Sequence, residues 1–298
     1  MRAVQVTAYG GPEVLRVVEI ERPSPISTEV LVRVLAAGVN PVDCKTRRGE
    51  GVSRWVGPPP FVLGWDVAGV VEAIGYGVTR FVIGDLVYGM PRFPRAAGCY
   101  AEFVCAPALQ FARAPAGISA VEAAALPLAV LTAWQCLVDA AQLRAGETVV
   151  VHGASGGVGH LAAQLAATRG ATVTSTSGRG DRGALAIREA DVALDLVGGD
   201  DTLELLQTVG SGGVLLAVAD GADDQVKTEA ARRNVRVLEP LVEPDGRALD
   251  EVARMVEAGT LKVAVGGTYP LEMATEAHRR LEEGGVKGKL VLEVRGDA

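Results

Sequence analysis

The residues of this 298-residue chain with the clearest chemical potential form a glycine turn, Gly153-Ala154-Ser155-Gly156-Gly157-Val158-Gly159. Glycine at such positions lets the backbone turn tightly and lets a pyrophosphate reach amide N–H groups. The helix that follows adds the positive end of its dipole. A glycine triplet alone is a weak signal. This one directly follows the apolar run Thr148 to His152 and opens the helical sequence Leu161-Ala162-Ala163-Gln164-Leu165-Ala166. In that setting it reads as a dinucleotide site with Ser155, Gly156, Gly157 and Val158 as the cradle, the alternative being a structural tight turn.

The next strand bears on which dinucleotide. Proteins that prefer NAD usually end it in an Asp or Glu that binds the ribose 2′-hydroxyl. Here the end reads Thr174-Ser175-Thr176-Ser177-Gly178-Arg179. Small hydroxyls and a cation suit a 2′-phosphate, so Thr176, Ser177 and Arg179 are expected to contact NADPH. A surface loop is the alternative reading of Arg179, and Asp181 stands close enough to blunt its charge.

These groups need a sheet to position them. From Ile118 the texture turns helical: Ser119 and Glu122 have capping-box spacing, and Ala- and Leu-rich sequence runs to about Leu143, interrupted at Pro127. Strands are expected at 148–152, 171–176, 192–196 and 213–218, alternating with helices through Thr168, at 201–208 and at 245–258. That alternation predicts a parallel sheet covered on both faces. Residues before about 117 are rich in valine and glycine, with strands at 30–34 and 67–74 punctuated by Gly-Pro turns, and predict a small, mostly β domain. A helix at 272–283 and a strand at 289–294 are expected to fold back onto it. The expected domains are therefore 1–117 completed by 264–298, and 118–263.

Bulk properties exclude several classes. The chain is 49% hydrophobic and 22% charged, with a net charge of -7, so a nucleic-acid partner, which wants a basic stripe, is not expected. No apolar stretch approaches a membrane span. Met1 to Val6 alternates like a strand and lacks a signal-peptide core. The four cysteines (Cys44, Cys99, Cys105, Cys136) form no C-x-x-C pair. Free thiols in a cytoplasmic protein are the simplest account.

Seven stretches, the glycine turn among them, carry a resemblance in this order. They are Ala37-Gly38-Val39-Asn40-Pro41-Val42-Asp43, Leu63-Gly64-Trp65-Asp66 through Val71, Val82-Ile83-Gly84-Asp85 through Met90, Ala124 to Trp134, Val151 to Gly159, Asp195-Leu196-Val197-Gly198-Gly199-Asp200 and Gly288-Lys289-Leu290-Val291-Leu292. Over nearly the whole chain they resemble the medium-chain dehydrogenase/reductase superfamily, in its zinc-free quinone oxidoreductase branch. The resemblance implies a GroES-like catalytic domain and a Rossmann domain with a doubly wound parallel α/β sheet. It implies Asn40 beside nicotinamide and substrate, with Thr132, Val197, Val218 and Lys289 as further cofactor contacts. Asp43, Cys44, Trp65, Tyr88 and Tyr100 become cleft candidates, with Asp43 and Tyr100 taken as catalytic alongside Asn40. Turn capping is an alternative for Asp43.

Zinc relatives bind their ion through a Cys where this chain has Asn40 and through a His where it has Trp65, so no zinc is expected. His152, His160 and His278 are scattered and read as packing or solvent-facing residues. Without a metal to polarise a ketone, reduction of a quinone or of a C=C bond conjugated to a carbonyl is the easier chemistry. The stretch Ser177 to Ala190 is shorter than the family pattern. It leaves room for one helix at about 182–190 and implies loss of the edge strand beyond the second strand. That shortening motivates a competing expectation: a non-redox cyclase or isomerase on a reductase scaffold with weakened cofactor binding. The resemblance also implies a homodimer paired through the outer strand at the opposite end of the sheet, for which Gly213 to Val218 and Val235 to Leu238 supply apolar strands.

Overall fold

The computed structural model describes residues 1–176 and 189–294. The expected contacts Ser177 and Arg179, and nearly all of the helix expected at 182–190, lie outside the described residues. The chain forms two compact units. One comprises Met1–Leu131, Glu243–Gly259 and Val263–Ala298; the other comprises Thr132–Val242 and Thr260–Lys262. Against the boundaries read from sequence, 118–131 and 243–259 fall with the first unit. The Leu128 N–H is bonded to Asp66 at 2.7 Å, and the Leu249 carbonyl to the Tyr88 hydroxyl at 2.6 Å.

The first unit is built from β1 (Arg2–Val6), β2 (Leu15–Glu19), β3 (Glu29–Val39), β4 (Phe61–Val62), β5 (Val67–Ile74), β6 (Leu86–Gly89), β7 (Phe103–Pro107) and β8 (Phe111–Arg113). The second contains β9 (Thr148–His152), β10 (Thr172–Thr176), β11 (Ala190–Asp195), β12 (Val209–Ala217) and β13 (Arg236–Leu238). The chain then returns to the first unit with β14 (Val265–Pro270) and β15 (Lys289–Glu293).

In the first unit a sheet runs β14-β15-β3-β5-β6-β8, with β7 also on β3, beside the small sheet β2-β1-β4. β15 lies antiparallel to β3 with Leu290 opposite Val39, which sets Lys289 next to the residue that follows β3, Asn40. Valine-rich β3 is buried along most of its length, as its continuous apolar sequence requires when both faces are covered.

In the second unit the order is β10-β9-β11-β12-β13, every pairing parallel. The core on one side of this sheet includes Val150, Ala193, Leu205, Leu206, Leu215 and Val226. Among the described residues β10 has β9 as its one neighbour, the arrangement left by removing the strand that would flank it. Ala190, expected to end a helix, begins β11. The helix Asp224–Arg232 was not expected from sequence; Asp223 caps it by accepting from the Val226 N–H at 2.8 Å.

Candidate active site

In the first unit the end of β3 runs into the helix Pro41–Arg47, and Asn40 is the residue between them. Pro41 at the first helical position fits because that N–H has no partner within a helix. Asp43, at the third helical position, turns back so that its Oδ2 accepts from the Asn40 N–H at 2.7 Å. This is the turn-capping geometry, and it fixes the Asn40 backbone.

The Asn40 side chain belongs to a buried cluster of charge. Its Nδ2 donates to Asp66 Oδ2 at 2.9 Å, and its Oδ1 accepts from Lys289 Nζ. Lys289 Nζ also reaches Asp66 Oδ2 at 3.1 Å, while Asp66 Oδ1 accepts from the Leu128 N–H at 2.7 Å. Asn40, Asp66 and Lys289 are all buried, so charge balance and full hydrogen bonding are what keep the ion pair tolerable there. The sequence makes room for it at Gly38, where a Cβ would lie 2.7 Å from Asp66 Oδ2 and 2.6 Å from the Ala124 carbonyl oxygen.

A second set of groups meets Asp43 from the other side. The Tyr100 hydroxyl donates to Asp43 Oδ2 at 3.1 Å and lies 3.3 Å from His278 Nε2. Gly64 clears the space for that ring: a Cβ there would stand 2.2 Å from Tyr100 Cδ1. His278 Nδ1 lies 3.0 Å from Arg47 Nη1 and 3.4 Å from Cys44 Sγ. Arg47 Nη2 continues to Glu282 at 2.6 Å. Burial raises the Asp43 carboxyl to about 7, against the lowering effect of the Asn40 N–H. Burial lowers His278 to about 3, with the Arg47 charge acting in the same sense, and holds the Cys44 thiol at about 12. Burial also pushes the Tyr100 phenol well up. Among the described residues Asp43 Oδ1 has no hydrogen-bond partner.

Asn40, Asp43, Tyr100 and Lys289 are thus brought together, all in the interior. Trp65 and Tyr88 are interior as well, with their polar atoms engaged: Trp65 Nε1 donates to the Arg95 carbonyl at 2.8 Å and Tyr88 to that of Leu249. Sequence reasoning missed His278 as a partner of Tyr100. Its signal was the buried face of the helix Ala274–Glu282, where it shares burial with Ala274 and Ala277.

The second unit gathers the dinucleotide candidates at the carboxyl edge of its sheet, where open α/β sheets bind such ligands. The glycine turn leaves β9, Thr176 ends β10, Val197 follows β11 and Val218 follows β12. Asp195 organises this edge: its Oδ1 accepts from the Val197 and Gly198 N–H groups at 3.0 and 2.9 Å, and its Oδ2 accepts from the Thr202 hydroxyl at 2.6 Å. The Val218 N–H is bonded to the Asp195 carbonyl at 3.0 Å. The Thr176 hydroxyl is engaged with His152 Nδ1 at 2.6 Å, and Thr176 is buried. Thr132 lies buried on the helix Pro127–Trp134.

The turn itself fits a pyrophosphate. A Cβ on Gly159 would lie 2.2 Å from the Gly153 carbonyl oxygen, so only glycine closes the turn there. A Cβ on Gly156 would meet just that same oxygen at 3.4 Å, leaving the cradle open for a ligand at the N-terminus of the helix Gly159–Thr168. A zinc ion fits the first unit poorly. The Lys289 ammonium already occupies the acceptor of Asn40, and the Trp65 indole is no ligand. Among the described residues no group of three or more His, Cys, Asp or Glu is placed to hold a metal.

Comparison with known proteins gives two family matches. Residues 27–116 match the alcohol dehydrogenase GroES-like domain, and residues 162–292 match a zinc-binding dehydrogenase domain. The chain is 30% identical over 325 residues to a quinone oxidoreductase of Pongo abelii, spanning 98% of this chain and 97% of that protein. The chain belongs to the medium-chain dehydrogenase/reductase superfamily, in its zinc-free quinone oxidoreductase-like branch. It is an oxidoreductase. The solved quinone oxidoreductase of Coxiella burnetii superposes with a TM-score of 0.90 at 33% identity, covering 99% of each chain. A mycobacterial protein solved with NADPH gives 0.86 at 30% identity, covering 98% of this chain and all of that one. Among the described residues no helix is long and apolar enough to cross a membrane.

Proposed function

We propose that the protein is an NADPH-dependent reductase of quinones or of C=C bonds conjugated to a carbonyl, acting without a metal. The observation that carries this reading is the open cradle at Gly156, combined with an ammonium rather than a metal site at Asn40. NADPH bound along the glycine turn would supply a hydride to an electron-poor carbon. Ser155, Gly156, Gly157 and Val158 would hold its pyrophosphate, with Val197 and Val218 on the same sheet edge. In the first unit, Asn40 Nδ2 uses one of its two N–H groups on Asp66, and the Lys289 ammonium shares three donors between two acceptors. The remaining donors suit the oxygen that gains charge as hydride arrives, which is the preorganised stabilisation such a reaction needs.

Purified protein mixed with NADPH or NADH and a panel of quinones and enones tests the proposal. NADPH oxidation above background, faster than with NADH and lost in Gly156→Asp, is the expected result. Turnover of some substrate that persists in Gly156→Asp, with no nicotinamide bound by fluorescence, would favour the non-redox reading instead. The chain is further proposed to pair with a second copy through β13, which among the described residues has β12 as its one neighbour.

A further inference from the structure

We infer that His278 is a positioning residue of the reaction, acting through Tyr100 and Asp43 on Asn40. This rests on the reductase reading above for the role of Asn40. The direction of each bond follows from what the end groups can do. Arg47 is always a donor, so the His278 Nδ1 that lies 3.0 Å from its Nη1 must accept. The neutral ring then carries its proton on Nε2 and donates it toward the Tyr100 oxygen at 3.3 Å. That leaves the Tyr100 O–H one acceptor, the Asp43 Oδ2 at 3.1 Å, and the same oxygen takes the Asn40 N–H at 2.7 Å. One tautomer at His278 therefore sets a single polarity for the whole column, from Arg47 to the backbone of Asn40.

The column is buried throughout: Arg47, His278, Tyr100 and Asp43 each have no exposed surface. At its far end Arg47 is held by Glu282 at 2.6 Å and by the Gly10 carbonyl, to which its Nε donates at 3.1 Å. A carboxylate that must accept two donors at one oxygen works when ionised, and burial raises Asp43 to about 7. The titratable groups that act on it are Cys44 on its own helix, Asp66 before β5, Cys99 and Tyr100 before β7, and Lys289 on β15, while His278 reaches it through Tyr100. Asp66 raises it further, whereas Lys289 and the Tyr100 hydroxyl lower it. Activity is therefore expected to have an acid limb near neutral pH, and loss of the Tyr100 donor should move that limb upward.

Three variants and one spectroscopic measurement test the column. In Tyr100→Phe the acid limb of kcat should shift to higher pH, with KM for NADPH unchanged. In His278→Phe kcat should fall at least about tenfold, and His278→Gln, which restores a donor toward Tyr100, should recover part of it. Thermal unfolding of each variant separates loss of fold from loss of position. Nitrogen-15 spectra of the wild-type imidazoles should show one ring that stays neutral and Nε2-protonated from pH 5 to 8. A ring protonated on Nδ1, or His278→Phe and Tyr100→Phe with wild-type kcat and pH profile, overturns the inference while leaving the reductase reading standing. A wild-type protein that oxidises no NADPH overturns the reductase reading and this role in catalysis with it, whereas the tautomer is read independently.

Discussion

At the scale of single residues, the interior of the first unit is organised around two carboxylates with different support. Asp66 is paired with the Lys289 ammonium and takes three hydrogen bonds, whereas Asp43 takes two at one oxygen and, among the described residues, none at the other. Removing the cation from the first should be costly. Lys289→Met is expected to lower stability by about 3–5 kcal/mol, because an unpaired buried charge remains. Adding Asp66→Asn should return much of that loss, and urea unfolding of the single and double variants checks both. The pair was invisible as a pair in the sequence. Gly64-Trp65-Asp66 and Gly288-Lys289 were each legible as motifs, but 223 residues separate the two charges, and no local period reports such a contact. The same holds for Tyr100 and His278, 178 residues apart.

At the scale of elements, the glycine turn was the most legible part of the molecule because strand, turn and helix are contiguous and each carries its own period. The structure divides its glycines by task. Gly159 is required for the turn to close, and Gly156 keeps the cradle open. Gly159→Ala should therefore lower the melting temperature and abolish NADPH binding together. Gly156→Ala should leave the melting temperature close to wild type and weaken NADPH binding at least several-fold, as read by nucleotide fluorescence titration. Equal melting losses in both variants would show that the division is wrong. The helix Asp224–Arg232 escaped notice because its sequence is mostly polar. Its apolar contacts are few, Val226 and Ala230, and its start is set by Asp223 rather than by a hydrophobic run.

At the scale of the whole molecule, two buried groups pull stability in opposite directions as pH changes. Asp43 is raised from 3.8 to about 7, so the native state keeps a proton that the unfolded chain releases. The stability it adds is full below 3.8 and is lost as pH rises through about 7. His278 is lowered from 6.5 to about 3, so its contribution is full above 6.5 and is lost as pH falls toward 3. Between 3.8 and 6.5 the two slopes, each about 1.4 kcal/mol per pH unit, oppose one another. His278→Gln should expose the Asp43 slope, so that the variant loses stability with rising pH over that window relative to wild type. Asp43→Asn should do the reverse, and chemical unfolding at a series of pH values reads both. Light scattering of the wild-type protein should give twice the chain mass of 30.8 kDa if β13 pairs with a second copy.

The place of Lys289 in the chain also bears on biosynthesis. Asn40 and Asp66 precede the parallel-sheet unit in the chain, but the strand that brings their cation, β15, follows it. Until β15 is made, β3 lacks its partner on that side and Asp66 lacks the Lys289 ammonium. The first unit must therefore wait, open and hydrated, while the parallel-sheet unit encoded between its halves is free to fold during synthesis. A nascent chain arrested before residue 289 should accordingly show protease resistance in 132–242 and none in 1–131.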